Sequence, residues 1–117
     1  MLGWIIAVAI VVFFIWRMKP AKDISTISTD ELKVILGDKK IQFIDVRTPA
    51  EYKGKHIKEF QNIPLHVLNS KVASLKKEQE VVVICQSGMR SSKAASQLKK
   101  AGFTVTNVRG GMSAWRG

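Results

Sequence analysis

The sequence predicts an α/β fold, a three-layer domain with a parallel sheet of about five short strands, preceded by one transmembrane helix. Three observations lead there. Compact apolar runs such as Ile41–Val46 and Val81–Ile84 alternate with segments of helical periodicity, the pattern of parallel strands covered on both faces. The first sixteen residues carry no charge. The only cysteine, Cys85, follows the run Val81–Ile84 directly and precedes a helix-forming segment. A chain of 117 residues is long enough for one core and too short for two.

The segment from Met1 to Trp16 reads as the anchor. Sixteen helical residues reach only about 24 Å against a hydrocarbon core of ~30 Å. Trp4 and Trp16 suit the interfacial belts, and Arg17 and Lys19 can snorkel to headgroups. A cleavable signal peptide would have a basic start and small residues at its cleavage point. A core helix would show a polar face. Neither is present in the sequence. The expected organisation is an anchor helix over 1–18, a juxtamembrane linker over 19–23 with Pro20 stopping the helix, and one domain over 24–117. Arg17, Lys19 and Lys22 follow the apolar run, so the positive-inside rule predicts a single-pass protein of the cell membrane with its domain in the cytoplasm.

Along the domain, Ile24–Ile27 reads as a brief strand. Ser28-Thr-Asp-Glu31 is a capping box that opens a helix ending at Gly37. Ile41–Val46 is a buried strand that delivers Asp45 and Arg47 at its carboxyl end. Pro49–Tyr52 is a helical turn, and Asn62-Ile63-Pro64 is a short extended piece. Val67, Leu68, Val72 and Leu75 share one face of a helix. After the strand Val81–Ile84, a helix from Ser91 to Ala101 puts Ala94, Ala95, Leu98 and Ala101 together. Phe103–Val108 is the last strand, Gly110-Gly111 a turn, and Met112–Trp115 a final helical turn.

Charge narrows the partners. All 19 basic and 9 acidic residues lie from Arg17 onward, giving the rest of the chain the whole net charge of +10. An anionic membrane surface or anionic substrate fits this balance. Nucleic acid does not, because the lysines are dispersed and no stacking aromatics are interleaved with them. His56 and His66 lack carboxylate or thiol partners at ligand spacing, so no metal and no cofactor is expected. A lone cysteine fits a reducing compartment.

The loop Cys85-Gln-Ser-Gly-Met-Arg-Ser91 carries the chemistry. A thiol at a strand end before a helix N-terminus meets inward N–H groups and the helix dipole, both of which favour the thiolate. A buried structural cysteine is the bland alternative. Protein tyrosine phosphatases and low-molecular-weight arsenate reductases place one more residue between such a cysteine and its arginine. Here four separate Cys85 from Arg90. The narrower cradle crowds a tetrahedral oxyanion and suits one sulfur atom attached to Cys85. A phosphatase is therefore disfavoured.

Together with that loop, Ile44-Asp45-Val46-Arg47 with Glu51-Tyr52, His56-Ile57 with Asn62-Ile63-Pro64, and Val108-Arg109-Gly110-Gly111 with Ala114-Trp115 resemble the signatures of single-domain rhodaneses, the sulfurtransferases. The likeness covers about residues 24 to 117 and extends to bacterial rhodaneses with one N-terminal transmembrane helix. It implies covalent ping-pong transfer. Cys85 would take the outer sulfur of thiosulfate, a polysulfide or a persulfide, and pass it to a thiol or cyanide. Gln86, Ser87, Gly88, Met89 and Arg90 would surround the substrate sulfur with their amides. Asp45, Arg47 and Ser91 would support the loop, with Ser91 capping the helix. The neutral side chains of Gln86, Ser87 and Met89 put thiosulfate itself in question. A non-catalytic docking or sulfur-relay module at the membrane is the competing reading.

Overall fold

The computed structural model describes residues 2–17 and 24–117. The linker expected over 19–23 lies outside the described residues. Helix α1 runs Leu2–Arg17. Its side chains from Trp4 to Val12 are exposed, the large ones by half or more. The transmembrane expectation needs correction here. Sixteen residues give a rod of about 24 Å, and among the described residues no helix is long and apolar enough to cross a membrane.

The domain is built on five parallel strands: β1 (Ser25–Ile27), β2 (Ile41–Asp45), β3 (Gln61–Asn62), β4 (Glu80–Ile84) and β5 (Val105–Val108). Their order is β1-β5-β4-β2-β3. Register pairs Asp45 with Ile84, so the carboxyl ends of β2 and β4 lie side by side. In open parallel sheets, ligands gather at such ends.

Two capping boxes start the helices over one end of the sheet. Ser28 and Glu31 exchange hydrogen bonds of 3.1 Å at the start of α2 (Thr29–Ile35). Thr48 and Glu51 do the same at 3.0 and 3.2 Å for α3 (Pro49–Gly54). Pro49 has its fixed φ at the first helical turn, where no N–H is needed.

The helix expected over Val67–Leu75 is broken into three pieces. Leu65–Val67 is a 3₁₀ turn, Leu68–Lys71 one turn of α4, and Val72–Ser74 a second 3₁₀ turn. Ser70 and Ser74 donate their hydroxyls to the carbonyls of Val67 and Lys71 at 2.7 and 2.6 Å. These local bonds compete with a continuous helical ladder. Helix α5 runs Met89–Lys100, two residues earlier than expected, so Arg90 and Ser91 lie in its first turn. Helix α6 is short, Gly111–Ala114.

Alternation along β4 divides the core. Val81, Val83 and Cys85 face α4 and α5 with Leu68, Ala94, Ala95 and Leu98. Val82 and Ile84 face the other side with Leu32, Phe43, Phe60 and Met112. This period of two puts the cysteine side chain on the α5 side, under that helix's N-terminus.

Candidate active site

Cys85 has no solvent-exposed surface, but its sulfur is not in purely apolar surroundings. The Gly88 amide donates to Sγ at 2.9 Å. The Cys85 thiol donates to Ser91 Oγ at 3.3 Å, and Ser91 Oγ donates to the Gly88 carbonyl at 3.1 Å. Burial pushes the thiol pKa up. The Ser91 hydroxyl and the amides of Ser91, Gly88 and Ser87 outweigh it and hold the thiol below its ordinary value. The sulfur is thus charged more readily than a free thiol despite being covered. Gly88 makes the turn at φ +109°, a conformation that L side chains rarely adopt.

Two acid–base pairs flank the loop. Arg47 lies against Asp45, with Nε 3.0 Å from Oδ1 and Nη2 2.8 Å from Oδ2. Both side chains are buried. The guanidinium also reaches the carbonyls of Glu51 and Lys55 and the Gln86 side-chain oxygen. Asn62 closes the bracket by donating to the carbonyls of Asp45 and Arg47. On the outer side, Arg90 donates from both terminal nitrogens to Glu51 at 2.6 and 2.8 Å. That contact first, then the Thr48 amide, drops the Glu51 carboxyl to about 2.

The arrangement places the expected residues as follows. Cys85, Ser87, Gly88 and Ser91 converge on the sulfur. Gln86 is tied to Arg47 and, through its side-chain nitrogen, to Ser113. Arg90, expected among the residues around the substrate, spends both arms on Glu51. Met89 stands out from the loop, 81% exposed.

Sequence reasoning missed two parts. Gly110-Gly111 is more than a turn. The amides of Met112 and Ser113 donate to the carbonyls of Cys85 and Gln86 at 2.8 and 2.9 Å, and a Cβ on Gly111 would run into the Cys85 carbonyl oxygen. The start of α6 is thus pressed directly onto the cysteine loop. The doubled glycine was the available signal. The second omission is the double duty of Glu51, which caps α3 and pairs with Arg90. Thr48-Pro-Ala-Glu51 fits the capping pattern, but a link 39 residues along the chain has no local signature.

The fold and the loop define a class: a one-sheet α/β domain that presents a thiolate-favouring cysteine at the carboxyl end of a central parallel strand. Residues 28–117 match the model of the Rhodanese-like domain, and the chain belongs to that family. A sulfurtransferase of Allochromatium vinosum is 33% identical over 94 residues, covering 79% of this chain and 88% of that protein. The crystal structure of a rhodanese-like domain protein from Staphylococcus aureus superposes with a TM-score of 0.74 at 35% identity, covering 80% of this chain and 92% of that one. The human single-domain sulfurtransferase superposes at 0.71 with 28% identity, covering 77% and 93%. Sulfurtransferase activity is therefore supported at the level of the family.

Proposed function

We propose that this chain carries sulfane sulfur as a Cys85 persulfide. It would take the sulfur from thiosulfate, a polysulfide or a low-molecular-weight persulfide, and release it to a thiol or cyanide. The observation that carries this reading is the Gly88 amide at 2.9 Å and the Ser91 hydroxyl at 3.3 Å from one sulfur. In loading, the Cys85 thiolate attacks the donor's outer sulfur and the donor's remainder leaves with the bonding pair. Ser87, Gly88 and Ser91 already face the Cys85 sulfur, so the attacking thiolate meets dipoles in place and little reorganisation is needed. Because the sulfur is covered, the loop Gln86–Met89 must part before a donor atom reaches it.

Arg90 acts through Glu51 as a brace, and Asp45 and Arg47 fix the strand ends beneath. A less charged donor, such as a persulfide, fits this loop better than thiosulfate, since the one cation on it is already paired. The apolar surface of α1 supports a place at the cytoplasmic face of the cell membrane. The helix would lie in lipid, and the positive charge of the following residues would face anionic headgroups.

Mass spectrometry of the intact chain after exposure to a panel of sulfane donors tests the chemistry. A gain of one sulfur atom on Cys85 is expected. No adduct with any donor would refute the sulfurtransferase reading. Co-sedimentation with vesicles of mixed neutral and anionic lipid tests the location. Retention of the chain in the supernatant would refute it.

A further inference from the structure

The direction of the strands fixes which end of the domain meets the chain coming from α1. β1 runs parallel to β5, as do all the other paired strands. Ser25 therefore lies at the amino end of the sheet, opposite the end that carries Cys85. Three lysine pairs gather at that same amino end. Lys39-Lys40 precedes Ile41, the first residue of β2, and Ile41 is paired with Glu80, the first residue of β4. Lys76-Lys77 is drawn to the start of β2 by Gln42, whose side chain donates to the Lys76 carbonyl at 2.7 Å and accepts from the Lys76 amide at 2.8 Å. Lys99-Lys100 closes α5. The chain turns just beyond it at Gly102, where an added Cβ would lie 3.9 Å from Lys77 Nζ. Lys39, Lys40, Lys76, Lys77 and Lys100 are exposed. The acids at this end are Asp38, Glu78 and Glu80. Asp38 accepts from the Lys40 amide, and Glu80 accepts from the Thr106 hydroxyl. Val34, one residue before the end of α2 as it returns toward β2, is 84% exposed.

Exposed lysines that outnumber their neighbouring acids are drawn to an anionic lipid surface. The chain itself brings them there. Residues 18 to 24 separate Arg17 from Ser25, and fully extended they span at most about 25 Å. The five residues of β4 alone take up about 16 Å, and turns add length at both ends. To bring the carboxyl end to lipid, residues 18 to 24 would have to run up the side of the domain at nearly full stretch. Resting on the membrane location of α1, we propose that the amino end of the sheet is a second membrane-contact surface. Lys39, Lys40, Lys76, Lys77 and Lys100 meet the headgroups of anionic lipid, and Val34 adds an apolar contact. A single attachment through α1 leaves the domain free to rotate; two attachments fix its orientation. The Cys85 loop then points away from the bilayer, and small molecules reach it from the water side without crossing headgroups. The contact is electrostatic, so it weakens as salt rises.

The test uses the full chain and vesicles of phosphatidylcholine mixed with phosphatidylglycerol. Partitioning is compared for the wild type and two variants of equal charge loss. One carries Lys39→Gln, Lys40→Gln, Lys76→Gln and Lys77→Gln at the amino end. The other carries Lys53→Gln, Lys55→Gln, Lys93→Gln and Arg109→Gln, all exposed and toward the end that bears Cys85. The amino-end variant should lose about tenfold or more in partitioning, given the attraction of each lysine near the surface. The other should lose clearly less. Equal losses, or a larger loss in the second variant, overturn the surface while leaving α1 in lipid. A wild type that stays in the supernatant refutes the membrane location, and this surface with it. Orientation is read separately on a Cys85→Ser chain labelled with a fluorophore at Lys40→Cys or at Met89→Cys. Quenching by headgroup-labelled lipid should be strong at position 40 and weak at position 89. Equal or reversed quenching overturns the proposal.

Discussion

Two arginine–carboxylate pairs flank the cysteine loop, and they differ in depth. Arg47 and Asp45 are 3% and 0% exposed at their side chains, whereas Arg90 and Glu51 are 36% and 32% exposed. Both pairs place two guanidinium nitrogens on one carboxylate. The buried pair also holds three backbone or side-chain oxygens and is itself held by Asn62. The outer pair joins two elements, α3 and α5, by direct contact at the surface. The difference separates two tasks: the inner pair keeps the strand ends in place, and the outer pair sets the position of the loop.

The largest effect should come from breaking the inner pair. Arg47→Ala leaves the Asp45 carboxylate buried without its partner, a defect worth about 3–5 kcal/mol. Urea unfolding should show it as a large drop in midpoint. A shift no larger than that of an ordinary surface substitution would mean that the inner pair is not a framework element. Gly111→Ala comes next. Its Cβ collides with the Cys85 carbonyl, and its φ of +56° disfavours a side chain. A loss of roughly 1–3 kcal/mol is expected, with sulfur transfer reduced because the loop is displaced.

Arg90→Gln should sharpen the contrast. Stability should change by less than about 1 kcal/mol, since exposed pairs contribute little. Persulfide formation should slow by about tenfold, or roughly 1.4 kcal/mol in the barrier. A stopped-flow loading assay checks the rate, and an unchanged rate would remove Arg90 from the account.

The smallest effect is a pH effect. Glu51 is depressed from 4.5 to about 2 in the folded chain, so the stability it contributes is present above its unfolded value and lost as pH falls through the folded one. Glu51→Gln keeps the capping pattern and removes the charge. The stability gap between it and wild type should be constant near neutrality and close between about pH 4.5 and 2. A gap that persists at the acid end would contradict the pairing with Arg90.

How much of this was legible in the sequence depends on distance along the chain. The strands β2 and β4, the α2 capping box and the turn at Gly88 are written in runs of a few residues, and the structure follows them. The thiol's placement follows from alternation along β4. What local pattern cannot carry is contact between distant segments: Glu51 with Arg90, the α6 amides on the Cys85 and Gln86 carbonyls, and Asn107 with Ser92. Ser91 shows the boundary between the two. Its position suggested a helix cap, but with α5 starting at Met89 it lies in the first turn, close enough to touch the sulfur. The segment Val67–Leu75 shows the opposite case, where apolar spacing promised one helix and serine hydroxyls divided it. At α1, hydropathy was clear and length was the property that decided.

The central claim is that the loop favours the thiolate of a covered sulfur, lowering its pKa despite burial. Cys85 is the only cysteine, so the ultraviolet absorbance of its thiolate can be followed against pH without interference from a second thiol, with a Cys85→Ser chain as the blank. The account predicts a midpoint below the ordinary thiol value of about 8.5, moving upward in Ser91→Ala. A midpoint at or above that value, unmoved by Ser91→Ala, would contradict it.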